Sequence, residues 1–225
     1  MNYSTIQAVD FAIGRWIAEA FPIEVTPTGP KNWCDFAKRP IAQKIMRGDF
    51  DSATEVISSI ESSQKQSHSS GKFKHNPASL PMIAYGRKAG ISPSEADAGA
   101  IINTKTVEVL SMMDVQLVQV DIDYKMLFMA WDIPTIDQMQ INWMFYAASH
   151  SEIPYKVEIQ GEEVELNVRI LDAKTPLFED ASIPAKENRL HAVMLALSAR
   201  TYVMKGQKVT IPDPISIHFS GGHIA

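Results

Sequence analysis

Asp121 and Asp123 stand two positions apart in VQVDIDYKMLF, so on an extended strand both carboxylates leave the same face. Joined by a third carboxylate from Asp172, Glu179 or Asp180, they have the oxygen chemistry that holds Mg²⁺. The same two residues are also what a strand needs on its solvent side. Their alternation with Val120, Ile122, Tyr124, Met126 and Phe128 favours that plainer role.

The six histidines, His68, His75, His150, His191, His218 and His223, include no pair at HExxH spacing and no close cysteine neighbour, so surface or loop positions are expected. Cys34 would be a thiolate nucleophile if His68 or His75 served as its base, but a lone cysteine is more simply structural. Being single, it permits no intrachain disulfide and no cysteine-based metal cluster, and it fits a reducing compartment. GxSxG, GxxxxGK[ST] and GxGxxG are all missing from the sequence, which removes support for common hydrolase, nucleoside-triphosphate and dinucleotide chemistry. The expectation is a non-enzyme, with no catalytic, cofactor-binding or metal residue assigned and a Mg²⁺-dependent enzyme using Asp121 and Asp123 as the weaker alternative.

The elements that would carry these residues follow from periodicity. Ser4 and Gln7 have capping-box spacing, and Ile6, Val9, Ile13, Trp16, Ile17 and Ala20 share a helical face, predicting a helix over Thr5 to Phe21. Pro22, Pro27, Gly29 and Pro30 then predict an extended, turning path, with Ile23 and Val25 alternating as in a short strand. A short helix is expected over Asp49 to Ile60, and the Ser-rich stretch Ser62 to Asn76 reads as a long flexible loop. A strand begins near Leu80, ahead of Gly90 and Pro93, and the row Val118 to Phe128 predicts a long strand with one buried face. Thr135 and Gln138 repeat the capping-box spacing before a helix carrying Ile136, Met139, Trp143, Tyr146 and Ala147 up to His150. Tyr155 to Ile159 and Val164 to Ile170 flank a QGEE turn and predict a β-hairpin. Arg189 to Met204 has helix-forming composition, yet His191, Val193, Leu195 and Leu197 alternate, and Thr201, Tyr202 and Val203 tip it towards strand. TIPDPIS then ends regular structure. The predicted fold class is α+β, a mainly antiparallel sheet packed by helices in one domain spanning residues 1–225.

With 225 residues and 45% hydrophobic content the chain is long enough to bury a full core. Its net charge of −5 and scattered Lys and Arg argue against general nucleic-acid binding. No apolar run approaches a membrane span, and MNYSTIQAVDF lacks the pattern of a signal peptide, so a soluble protein of cytoplasmic type is expected. Eleven methionines suit irregular packing or adaptable contact surfaces.

In order, the N-terminal helix, RPIAQKI at Arg39 to Ile45, LPMIAYGRKAGIS at Leu80 to Ser92, VQVDIDYKMLFMAWDIPTIDQMQINWMF at Val118 to Phe145 and ENRLHAVMLALSARTYVMKG resemble the tail terminator, or tail-completion, proteins of contractile-tailed bacteriophages. The resemblance covers most of the chain. It implies a virion structural protein without cofactor, assembled in the host cytoplasm, that closes into a ring, a hexamer by expectation. That ring would cap the tail tube and sheath and join them to the neck and head, its acidic balance suiting a DNA-conducting channel. It also implies no sequence-specific nucleic-acid partner and no membrane. Another neck or baseplate protein, or an adaptor module, remains an alternative expectation.

Overall fold

The computed structural model describes residues 5–67, 80–94, 115–159, 162–185 and 188–206. The frame is a long antiparallel ladder in which β4 (Val115–Ala130) pairs with β9 (Asn188–Gly206), from Val115↔Gly206 to Ala130↔His191. On the free side of β4, β2 (Met82–Arg87) pairs antiparallel, and β1 (Ile45–Arg47) runs parallel to β2. On the other side, β6 (Glu162–Ile170) meets β9 only at Arg169↔Arg200 and Ile170↔Ala199, and β5 (Glu152–Ile159) pairs with β6 as a hairpin. The strand order is β1-β2-β4-β9-β6-β5, with short strands β3 (Ser92–Pro93), β7 (Phe178–Asp180) and β8 (Ile183–Ala185) added along β4 and β9. The fold is therefore α+β, and the sheet is mostly antiparallel as the sequence predicts.

Both faces of the sheet are covered at one end. On the first face, α1 (Thr5–Ala20) and α5 (Ile133–Ser149) bury Val9, Ile13, Trp16, Met139 and Trp143 against Ile122, Tyr124, Met126 and Phe128. Trp16 meets Trp143 edge-on at a centroid distance of 4.6 Å, a favoured aromatic geometry. On the opposite face, α4 (Ala53–Ser67) lays Ala53 and Val56, with Phe50 and Leu80, over Met82, Ala84, Leu127, Met129, Leu190 and Ala192. This explains why the alternation in β4 gives way to the run MLFMA: a strand covered on both sides reads as continuously apolar. Further along that second face, Asp123 is exposed and Asp121 partly so.

Four local expectations need correction. Residues Ile23 and Val25 form no strand; Val25 is 86% exposed, because Pro22, Pro27 and Gly29, with φ +136°, keep this path from lying along a neighbour. Beyond it, Pro30 and Pro40 precede α2 (Lys31–Lys38) and α3 (Ile41–Lys44), so Pro30, read in sequence as part of an extended, turning path, stands at the start of a helix. Helix α4 continues to Ser67, so Ser62 to Ser67 are helical rather than loop, and the rest of the expected loop lies outside the described residues, as do Ser4 and TIPDPIS. Finally, α5 is capped by Asp132, whose Oδ1 accepts from the Thr135 backbone N–H at 3.0 Å and hydroxyl at 2.7 Å, so the cap lies three residues before the predicted one.

Lys44 is fully buried where α1, α2 and α3 converge. Its Nζ donates to the carbonyl oxygens of Phe21 (3.2 Å), Pro22 (2.7 Å) and Ala37 (2.8 Å), near the negative ends of the α1 and α2 dipoles, and lies over the Phe36 ring. Desolvation pushes this amine down to about 8 against the pull of Glu24. Between about 8 and the ordinary value of 10.5 the unfolded chain binds more protons than the folded one, so this residue's contribution to stability rises with pH across that window. Denaturant midpoints should therefore move in favour of the wild type over Lys44→Met as pH climbs through the window. A difference that stays constant would show that burial does not hold the amine down.

Candidate functional site

The most unusual polar group is Asp10, a carboxylate on α1 that is only 3% exposed. Three strands converge on it. Tyr124 of β4 donates its hydroxyl to Oδ1 at 2.7 Å, Arg47 of β1 reaches Oδ2 at 2.7 Å, and Arg87 of β2 approaches Oδ1 at 3.4 Å. Burial, and then the hydrogen bond to Asp10, push the Tyr124 hydroxyl far above its ordinary value, so it remains a donor.

Two glycines permit this convergence. A Cβ on Gly14 would sit 2.2 Å from the Tyr85 hydroxyl, and one on Gly86 would sit 2.0 Å from the Gly48 carbonyl, so α1 and the end of β1 close on β2 only without side chains there. Outside the carboxylate lies an open pocket of about 510 Å³, lined by Arg47, Gly48, Asp49, Gly86, Arg87 and Lys88. Three cations face two carboxylates, one of them buried. Phe11 stands exposed beside it, with the Arg47 guanidinium 5.7 Å from its ring centre. Among the described residues, the lining offers no hydroxyl, thiol or imidazole nucleophile. Its chemistry is that of a cationic fork for an anionic group.

The carboxylates singled out in sequence are committed elsewhere. Register places Asp121 opposite Arg200, whose Nε and Nη2 contact the two carboxylate oxygens at 2.7 and 2.9 Å and hold this carboxyl below its usual range. Asp123 lies opposite Ser198 and accepts its hydroxyl at 3.1 Å. Asp180 accepts from the Ser182 N–H and pairs with Arg189 at 3.5 Å. Among the described residues, no three His, Cys, Asp or Glu side chains gather as metal ligands. Cys34 is half-buried, its thiol pointing at the Pro27 and Gly29 carbonyls at 3.4 and 3.5 Å, while His68, His75, His218 and His223 lie outside the described residues. His150 is exposed and stacks on Tyr146. A second open pocket of about 430 Å³ beside α5 includes His191, Arg189, Asp180 and Asp137.

Sequence reasoning passed over Asp10, although its position carried a signal. It stands four residues after Ile6 and three before Ile13, inside the apolar stripe of α1, and a charge in such a stripe implies a buried partner.

The surface is charged in a patterned way. The outer face of the β5–β6 hairpin carries Glu152, Glu158, Glu163 and Glu165 against Lys156 and Arg169, with ion pairs Arg169–Glu152 at 2.7 Å and Lys156–Glu163 at 2.5 Å. On α5, Ile141, Met144 and Phe145 face outward, Phe145 at 78% exposure.

These features define an α+β chain whose described polar clusters pair charges across neighbouring elements. No family model and no curated protein matches it. Among the described residues, no helix is long and apolar enough to cross a membrane.

Proposed function

We propose that the chain is a tail terminator of a contractile-tailed bacteriophage, a virion protein that closes into a ring on the tail tube and sheath and presents a surface to the neck. The observation that carries this reading is the sheet's two ends: among the described residues β1 and β5 each have a single partner strand, and they stand at opposite ends of the strand order. Two different ends of the sheet on one subunit suit a heterologous contact, in which the β5 end of one copy meets the β1 end of the next. When the rotation per contact closes, the result is a ring with no free end. Such a ring accepts the growing tail on one side without presenting the same surface again, and growth stops. The segment order of helix, short strand, long strand, helix, hairpin and last long strand supports the same reading.

The test is genetic and structural. A phage lacking the protein should make tails of uncontrolled length or tails that fail to join heads, and the purified protein should cap polymerising tubes at their ends without entering their length. Tails of normal length with normal head attachment would overturn the proposal.

A further inference from the structure

We infer that the contact between neighbouring copies is made by the acidic outer face of the β5–β6 hairpin of one copy seated in the Arg47, Arg87 and Lys88 pocket of the next. This rests on the ring reading above and supplies the contact that reading leaves open. The two surfaces belong to opposite ends of the strand order, one flanking β1 and β2, the other on β5 and β6. They are therefore different surfaces of one subunit, as a head-to-tail contact requires.

Each side has charge left to use. On the hairpin, register sets Glu158 directly opposite Glu163, a like-charge cross-strand pair that is unfavourable by itself. Lys156 closes on Glu163, and among the described residues Glu158 has no ion pair. In the pocket, Asp10 takes one nitrogen from each arginine, Nη2 of Arg47 and Nε of Arg87, and the side chains remain 46% and 34% exposed, so each fork keeps donors for a second carboxylate. Lys88, half-buried on the same wall, adds a third cation. Since Asp10 fixes both guanidinium groups from behind, a glutamate arriving from outside meets donors already held in place, and little side-chain freedom is lost on contact.

The experiment uses the full chain and sedimentation velocity across a concentration series. Lys88→Glu and Glu158→Lys reverse one charge on each surface, at positions outside the core and outside the Asp10 cluster; circular dichroism checks that both variants fold. Each alone should weaken assembly by about tenfold or more, and the double variant, with the charges exchanged, should recover most of the loss. Assembly should also weaken with added salt. Single reversals that assemble like the wild type, or a double variant no better than the worse single, would overturn this contact while leaving tail capping untouched. A wild type that stays monomeric at every concentration would overturn both this contact and the ring on which it rests.

Discussion

Ile122→Asp should destabilise the protein by about 4 kcal/mol or more, enough to unfold many domains, whereas Asp123→Ala should cost about 0.5 kcal/mol or less. The two positions are adjacent on β4 and differ only in the face they use. Ile122 is wholly buried among the side chains of α1 and α5, and a carboxylate there would find neither water nor a cation. Asp123 is on the solvent side, where truncation loses one hydrogen bond from Ser198. Urea midpoints of the two variants measure the contrast directly, and equal midpoints would mean that β4 does not present these faces.

Asp10→Ala should cost about 1 to 3 kcal/mol, because it leaves the buried Tyr124 phenol without its acceptor, while the two guanidinium groups that lose their anion are part-exposed and can turn to water. Part of the loss should return in Asp10→Ala combined with Arg47→Met, which removes one orphaned charge and keeps the apolar stem. A non-additive recovery of that kind distinguishes a charge cluster from a simple packing defect. Thermal melts of the three proteins give the comparison, and strictly additive losses would argue that Arg47 and Asp10 stabilise the fold independently.

Legibility in the sequence followed how local each determinant is. The β4 row and the hairpin were readable because one face of each is dry and the other wet, which writes a period of two into Val120 to Tyr124 and Tyr155 to Val168. The last strand was readable only through its β-branched and aromatic end, Thr201 to Val203, since RLHAVMLALSAR alone suits a helix. What escaped depends on distant partners. Helix α2 hides behind prolines that read as breakers but sit at its start, and α4 carries polar residues to Ser67 where composition suggests a loop.

The candidate site divides the same way. The alternation correctly put Asp121 and Asp123 on the side away from the main core, but Arg200, 79 residues away from Asp121, is visible only once β4 and β9 pair. The pocket around Asp10 draws on α1, β1 and β2, and no short window of sequence contains its two arginines together with the carboxylate.

The central claim is a closed ring, and the mass of the assembled protein in solution tests it most directly. Native mass spectrometry over a wide concentration range should show one discrete oligomer, expected at six times the 25.0 kDa chain, in equilibrium with monomer and with few species between or beyond. A monomer at every concentration, or a ladder of open oligomers growing without limit, would contradict it.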